Sequence, residues 1–184
     1  MNLLKRAGVL TAAVALCWPA SAVAAQPSAP AASTAAADVQ LCPAKDPLER
    51  PVYSPVGSSA AKFVECNKGV PVVLDCPKGL LFNPRLNVCD WPWRARTLNI
   101  PTTTQTMNTA EGIAARVTWE GKPLYDAAVT FSAPDGKRVC DAYTDDEGLA
   151  VCPGTDSPAG GYTAAYAGSE TMLASSALSA PTAS

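Results

Sequence analysis

The cysteines constrain this chain of 184 residues more than any other feature, because four of its seven lie close together at Cys42, Cys66, Cys76 and Cys89. They fall within a segment of about 55 residues, which is too short to bury enough apolar area for comfortable stability. Two structural disulfides in this segment would supply what the small core lacks. Disulfide-dense small modules are typical of exported proteins, since the cytosol keeps thiols reduced.

The N-terminal residues also predict export. Lys5 and Arg6 precede an apolar run at 7–18, and small residues follow at 22–25. This order predicts a cleaved secretory signal over 1–25, because the apolar run is too short to span a bilayer. Cys17 is interpreted as an ordinary apolar residue of that signal. Six cysteines then remain, an even number that favours three disulfides in a secreted protein, extracellular or periplasmic.

Charge and residue types exclude several classes of function. Removing Lys5 and Arg6 from the 14 basic residues leaves 12 against 16 acidic ones, a net charge of about −4. This mild acidity argues against nucleic acid or an anionic membrane as the partner. The sequence contains no histidine, which removes His-ligated metal sites and Ser-His-Asp or Cys-His catalysis. We therefore expect no cofactor, no metal and no enzymatic activity.

Shifts in composition divide the chain into six segments. They are a signal peptide at 1–25, an Ala/Pro/Ser linker at 26–40, a cysteine-rich module at 41–96, a Thr-rich linker at 97–109, a second module at 110–173 and a flexible tail at 174–184. The linkers and tail are predicted because they are rich in small or polar residues and hold too little bulky apolar material to form a core.

Two hairpins are predicted in the first module. Strands at 62–66 and 70–76 flank a three-residue connection that ends in Gly69, a residue suited to such turns. A smaller hairpin pairs 80–82 with 88–90 across a turn that contains Asn and Pro.

The residues of this module resemble a known family. KFVEC followed by NKGVPVVLDCPKGLLFNPRLNVCDWP is similar to the type-2 chitin-binding domain, also called peritrophin-A or carbohydrate-binding module family 14. The matching elements are Phe63 with Cys66, a Gly-containing hairpin, the run 76–83 and the closing Cys-Asp-x-Pro at 89–92. The resemblance covers about residues 41–94 and implies a non-catalytic domain whose partner is chitin or a related polysaccharide.

The family has six cysteines where this module has four. Those present match the first, third, fourth and fifth positions, so the resemblance implies the pairs Cys42–Cys66 and Cys76–Cys89. The second cysteine would lie near Ala60 and the sixth after Trp93. Both missing cysteines belong to one bridge, so no thiol is orphaned. We expect residues 43–61 to be held less firmly than in the family.

The candidate carbohydrate-binding residues surround the end of the second hairpin: Trp91, Asp90, Asn83, Trp93 and Phe82. The apolar face of a pyranose stacks on an aromatic ring, and neighbouring polar groups orient its hydroxyls. Structural alternatives are that the tryptophans pack as core over the hairpin, that Asp90 and Asn83 only form turns, and that Phe82 is core. We predict that at least Trp91 lies at the surface.

The second module alternates apolar and polar residues, as half-buried strands do. One face of the first strand carries Ile113, Ala115, Val117 and Trp119. Further strands are predicted around Val129 to Ala133 and near 137–144, 149–152, 161–167 and 171–176. Turns are predicted at 135–136 and 145–148. This spacing predicts a small β-sandwich. Cys140 and Cys152 lie almost symmetrically about the second turn and have no other partner left, so we predict a disulfide across a hairpin.

A second resemblance covers about residues 110–170. Gly-x-Pro-Leu at 121–124, Ala-x-Val-x-Phe at 127–131 and Thr-Asp-x-x-Gly at 144–148 are similar to the transthyretin-like or carboxypeptidase-regulatory-like group of immunoglobulin-type domains. Such domains act as spacers or contact surfaces, which leaves room for a protein partner. The acidic residues of this module are predicted to form a solvated turn rather than a calcium loop: Asp141, Asp145, Asp146 and Glu147.

The predicted fold class is all-β, with a disulfide-stapled two-hairpin module joined by a Thr-rich linker to a small Ig-like β-sandwich. The leading hypothesis is a secreted, non-catalytic protein that binds chitin or another N-acetylglucosamine polymer through exposed aromatic residues. The alternative is an extracellular structural or adhesion protein whose sandwich binds a protein and whose cysteine-rich module no longer binds sugar. It is motivated by the absent bridge and by Val64, where relatives often carry an aromatic residue. A small hydrolase is the weakest hypothesis, since a 60-residue sandwich gives little room for a cleft between two carboxylates.

Overall fold

The protein is described by a computed structural model that covers residues 41–44 and 51–181. The predicted signal peptide at 1–25, the linker at 26–40 and the last three residues of the predicted tail lie outside the described residues. Within the described ranges the chain is almost all β, which confirms the predicted class. No helix in these ranges is long and apolar enough to cross a membrane.

The strands and the short helix follow one another in this order: β1 Val52–Pro55, β2 Lys62–Asn67, β3 Val70–Asp75, β4 Leu81–Asn83, β5 Val88–Asp90, α1 Pro92–Ala95, β6 Thr102–Asn108, β7 Gly112–Trp119, β8 Lys122–Pro123, β9 Ala128–Ser132, β10 Arg138–Tyr143, β11 Leu149–Pro153, β12 Thr163–Tyr166 and β13 Ser175–Leu178.

The first module contains both predicted hairpins, β2–β3 and β4–β5. The turn of the first hairpin is tighter than predicted. Asn67 pairs with Val70, so two residues rather than three connect the strands. Those residues, Lys68 and Gly69, have φ angles of 49° and 85°. Positive φ at both central positions is the type I′ geometry, which matches the twist of the strands it joins.

Strand β1 was not predicted. It pairs antiparallel with β2, with Val52 opposite Cys66 and Pro55 opposite Phe63. The chain then continues to Val56, which forms a bridge to Tyr125 of the second module. Part of the segment expected to be loosely held is therefore fixed by backbone pairing, which does not require the missing disulfide.

The second module consists of two antiparallel sheets, ordered β10-β9-β12-β13 and β11-β7-β6, with β8 added to β7. Fifteen buried residues drawn from both sheets and their connections form one core. The four residues predicted on one face of β7 all belong to it. Tyr162 lies in the same core and its hydroxyl donates to Met107 O at 2.6 Å and Ala114 O at 2.9 Å, so its polar end is satisfied.

The segment predicted as a Thr-rich linker is largely a strand. Strand β6 pairs along its whole length with β7, from Thr102 opposite Trp119 to Asn108 opposite Ile113. Just before it, Ile100 is fully buried in the core. Threonine is β-branched and well suited to a pleated, half-buried surface, so the composition that suggested a spacer also favours a strand.

The predicted tail also contains a strand. Residues 175–178 form β13, which pairs with β12. A strand had been predicted over 171–176, a few residues earlier. Met172 is instead buried in the core and forms a bridge to Ile100. The chain around Met172 therefore packs against the core before the pairing of β13 with β12 begins.

All three expected disulfides are present, joining Cys42 to Cys66, Cys76 to Cys89 and Cys140 to Cys152, with Cα–Cα distances of 5.3, 5.7 and 6.3 Å. The predicted hairpin around the third bridge is wrong. Cys140 lies on β10, which pairs with β9, whereas Cys152 lies on β11, which pairs with β7. The bridge therefore ties the two sheets together instead of crossing one hairpin.

The two modules pack directly against each other. The Gly57 amide donates to Tyr125 O at 2.7 Å, and the Tyr166 hydroxyl donates to Gly57 O at 2.8 Å. A Cβ atom at position 57 would lie 2.6 Å from the Cα of Ala127, so the contact requires glycine at this point. The modules are therefore closely joined rather than separated by a spacer.

Candidate functional site

The two tryptophans that follow β5 lie at the surface and stack on each other. Trp91 is 54% exposed and Trp93 is 65% exposed. Their ring centroids are 4.9 Å apart and the planes differ by 12°. Trp91 has extended φ and ψ angles of −64° and 140°, and Pro92 then begins the short helix α1 that carries Trp93. Each indole covers one face of the other and leaves its outer face available.

Asp90 holds the backbone on which this stacked pair begins. One carboxylate oxygen accepts from the Trp91 amide at 2.8 Å, and the other accepts from Asn83 Nδ2 at 3.2 Å. The side chain thereby connects the tryptophan pair to the adjacent strand β4. A carboxylate has about four acceptor positions, so capacity remains for a ligand hydroxyl.

The other two predicted site residues are buried. Phe82 is 2% exposed and stacks on Phe63, with centroids 5.1 Å apart. Asn83 is 4% exposed, and its Oδ1 accepts from the Arg85 amide at 3.1 Å. The structure thus separates the five candidates into Trp91, Trp93 and half-buried Asp90 at the surface, and Phe82 and Asn83 in the interior.

Two small apolar side chains are buried together in the region where the resemblance places the missing bridge. Ala60, at the place of the second family cysteine, is 4% exposed, and Ala95, two residues after Trp93, is fully buried. Both belong to one buried cluster with Leu81. The backbone of the same region is fixed because the Phe82 amide donates to Ala60 O at 2.7 Å. An apolar contact therefore holds residues 60 and 95 together without a covalent link.

Tyr53, which was not predicted as a site residue, extends an aromatic row in the first module. Its ring contacts Phe63 edge-on with centroids 5.9 Å apart, and Phe63 in turn stacks on Phe82. The row depends on β1 lying beside β2, so the pairing that was not predicted is what brings Tyr53 into it.

The acidic residues of the second module form a turn and surface pairs. Asp145 Oδ1 accepts from the amides of Glu147 and Leu149, each at 2.9 Å, as turn-forming aspartates do. Asp141 accepts from Thr130 Oγ1 at 2.8 Å and pairs with Arg138. Within 41–44 and 51–181, no three His, Cys, Asp or Glu side chains are grouped so that they could hold a metal ion.

Comparison with known proteins gives a match over the same part of the chain. Residues 47–97 match the family described as "Chitin binding Peritrophin-A domain". A protein named "Peritrophin-1", from Anopheles gambiae, is 32% identical over 113 residues, which cover 61% of this chain and 72% of that protein. No solved structure matches the chain significantly.

Two nematode proteins share shorter stretches with the chain. "Chondroitin proteoglycan 2" of Caenorhabditis briggsae is 45% identical over 38 residues, and "Chitin-binding domain protein cbd-1" of Caenorhabditis elegans is 57% identical over 30 residues. These stretches cover 21% and 16% of this chain but only 8% and 2% of the two proteins. The similarity to them is therefore confined to one small region of much longer chains.

Proposed function

The chain belongs to the peritrophin-A chitin-binding family, and we propose that it is a secreted, non-catalytic protein that binds chitin or another N-acetylglucosamine polymer through exposed aromatic residues. The observation that carries the proposal is the stacked, exposed pair Trp91 and Trp93 beside Asp90. Large aromatic side chains in a soluble protein are normally buried at least in part, so two adjacent indoles more than half exposed favour a binding role.

The chemistry of the pair suits a pyranose ring. One side of such a ring carries only C–H groups, and it packs against an aromatic face by apolar burial and weak electrostatic attraction. Because each indole is braced by the other, its outer face is held in place before a ligand arrives. Ordering the side chains in advance lowers the entropic cost of binding.

Asp90 is proposed as the polar member of the site. It is half-buried and beside Trp91, so a free acceptor position can orient a sugar hydroxyl. Asn83 and Phe82 are proposed to position Asp90 and the hairpin from below, since neither is accessible to a ligand.

Secretion is supported by the three disulfides, which persist in oxidising compartments. The two-sheet module is proposed to be transthyretin-like and to present the binding module, since it packs firmly against it. One argument for the adhesion alternative was the missing bridge. That argument is weaker, because the pairing of β1 and the buried alanines hold the region that the bridge would have secured.

The proposal is tested by retention on chitin beads at low salt, with the purified mature protein and with Trp91→Ala and Trp93→Ala. We expect each replacement to weaken retention by roughly three- to tenfold, the size expected for one lost aromatic contact. Tyr143→Ala is the matched control, because Tyr143 is 63% exposed but lies on β10 of the other module.

Absence of wild-type retention on chitin, chitosan and cellulose alike would refute the proposed function. If the wild type binds and both tryptophan variants bind equally well, binding stands but the stacking assignment is wrong. Far-ultraviolet circular dichroism and a free-thiol assay show whether each variant has kept its fold and its disulfides.

A further inference from the structure

A groove of about 410 Å³ lies where the two modules meet. Its walls include residues from the start of β1, from the β4–β5 turn and from the turn between β7 and β8: Tyr53, Arg85, Asn87, Trp119, Glu120 and Lys122. The volume is within the range of about 300–1,000 Å³ that is usual for small-ligand sites. It is distinct from the stacked tryptophans.

Both walls of the groove are held in place by specific contacts. Arg85 of the first module pairs with Glu120 of the second, with Nη2 and Oε1 3.5 Å apart. Trp119 pairs with Lys122 in the ladder, so the turn between β7 and β8 consists of two residues, Glu120 and Gly121, with φ angles of 48° and 76°. This type I′ geometry fixes the direction of the loop that carries the second wall.

Trp119 lines this groove and carries an unpaired donor. The side chain is 3% exposed, and its Nε1–H is buried without an acceptor among the described residues. Buried donors are almost always paired, because an unpaired one loses its hydrogen bond to water and gains nothing in return. A hydroxyl or an acetamide oxygen held in the groove would supply the missing acceptor.

The Lys122 side chain lies over the Trp119 ring and can move away from it. Lys122 Nζ lies 4.9 Å from the centroid of the Trp119 ring, and Lys122 itself is exposed. A long, flexible lysine can swing aside when a ring approaches the indole. Tyr53, half-buried on the opposite wall, offers a second aromatic surface, and the exposed amide of Asn87 can donate and accept hydrogen bonds.

We infer that this groove is a second sugar subsite, which binds one or two neutral N-acetylated sugar units of the polymer that contacts the tryptophan pair. The inference rests on the proposed function. The Arg85–Glu120 pair cancels its own charge, and Lys122 lies over the Trp119 ring, so the groove offers a ligand mainly aromatic faces and hydrogen-bonding groups, which suit a sugar. From Asn87 to Trp91 the chain runs four residues, mostly along β5, or about 13 Å, so one oligosaccharide reaches both places.

The subsite is tested by isothermal titration with the trimer and the hexamer of N-acetylglucosamine. Trp119→Phe keeps a ring but removes the N–H, and Asn87→Gly removes the amide while tolerating the φ of 55°. We expect both variants to lose affinity for the hexamer by roughly three- to tenfold, with little change for the trimer, which the tryptophan pair binds. Asn99→Gly is the matched control, another exposed asparagine at positive φ but outside the groove.

A second measurement locates the ligand without relying on the stability of a variant. In a wild-type sample, we expect hexamer addition to shift the backbone amide resonances of Asn87, Glu120 and Lys122. Wild-type hexamer binding without these shifts, and with unchanged affinity in Asn87→Gly, would overturn the subsite and leave the proposed function intact. Failure of the wild type to bind either oligomer or chitin would refute the proposed function and the subsite together.

Discussion

The two modules are stabilised in different ways. The first buries small clusters of five and three residues and relies on two disulfides, while its two tryptophans remain exposed. The second buries fifteen residues in one core, including Trp119, Phe131 and Tyr162, and has one disulfide between its sheets. A module whose fold is held by covalent bonds and backbone pairing can leave its aromatic side chains free for a ligand.

The largest effect is expected from Phe131→Ala. Phe131 is fully buried beside Tyr162, so the replacement should lower the free energy of unfolding of the second module by about 3–5 kcal/mol. Chemical denaturation of the purified protein measures it. We expect retention on chitin to survive at low temperature, because the binding module is stabilised separately. Loss of retention in a variant that is still folded would show that the two modules are not stabilised separately.

Removing the bridge between Cys76 and Cys89 should affect chitin retention more than the stability of the second module. The double replacement Cys76→Ser with Cys89→Ser should cost about 3 kcal/mol and release the hairpin that leads to Trp91. We expect chitin retention to fall strongly while the second module still unfolds cooperatively. The matched control is Cys140→Ser with Cys152→Ser, which should reduce stability but leave retention intact.

The apolar cluster of Ala60, Leu81 and Ala95 offers a place for an added bridge. Ala60→Cys with Ala95→Cys places two thiols in one buried cluster and should form a disulfide on oxidation, as a free-thiol assay would show. The expected gain is up to about 3 kcal/mol, since engineered bridges often give less than the loop length suggests. If the thiols stay free, the two alanine positions do not have the separation and orientation that a bridge needs.

The smallest effect concerns the contact between the modules. Tyr166→Phe removes the hydrogen bond to Gly57 O and should cost about 1 kcal/mol at neutral pH. Burial raises the pKa of Tyr166 above its ordinary value of 10.0, so the folded protein favours the neutral phenol. The stability from Tyr166 is therefore fully present below about pH 10 and is lost as the pH rises further. Thermal unfolding between about pH 8 and pH 11 should show a smaller alkaline loss in the variant than in the wild type.

Much of the fold could be predicted because it depends on local pattern. The alternation in β7 placed Ile113, Ala115, Val117 and Trp119 on one face, since the side-chain period of a strand is two. The turn residues placed both hairpins of the first module, and the family motif implied two of the bridges. The exposed position of Trp91 was predicted as well, because a short clamped hairpin has little interior in which to bury an indole.

The missed elements depend on partners distant in the chain. Threonines at 102–106 are compatible with a spacer or a strand, and only the presence of β7 beside them decides for a strand. β1 is fixed in the same way by β2 and by Tyr125. Cys140 and Cys152 were paired correctly, but their placement on different sheets depends on which strands β10 and β11 join.

The sequence by itself determined the cysteine framework, the β-strand periodicity and the residues from which a sugar-binding surface could be made. The tertiary structure decided which of those residues reach the surface: it stacked Trp91 on Trp93, buried Phe82 and Asn83, and brought Tyr53 to a groove with Trp119. The physical reason is that periodicity is a property of neighbouring residues, whereas exposure depends on what the rest of the chain packs against.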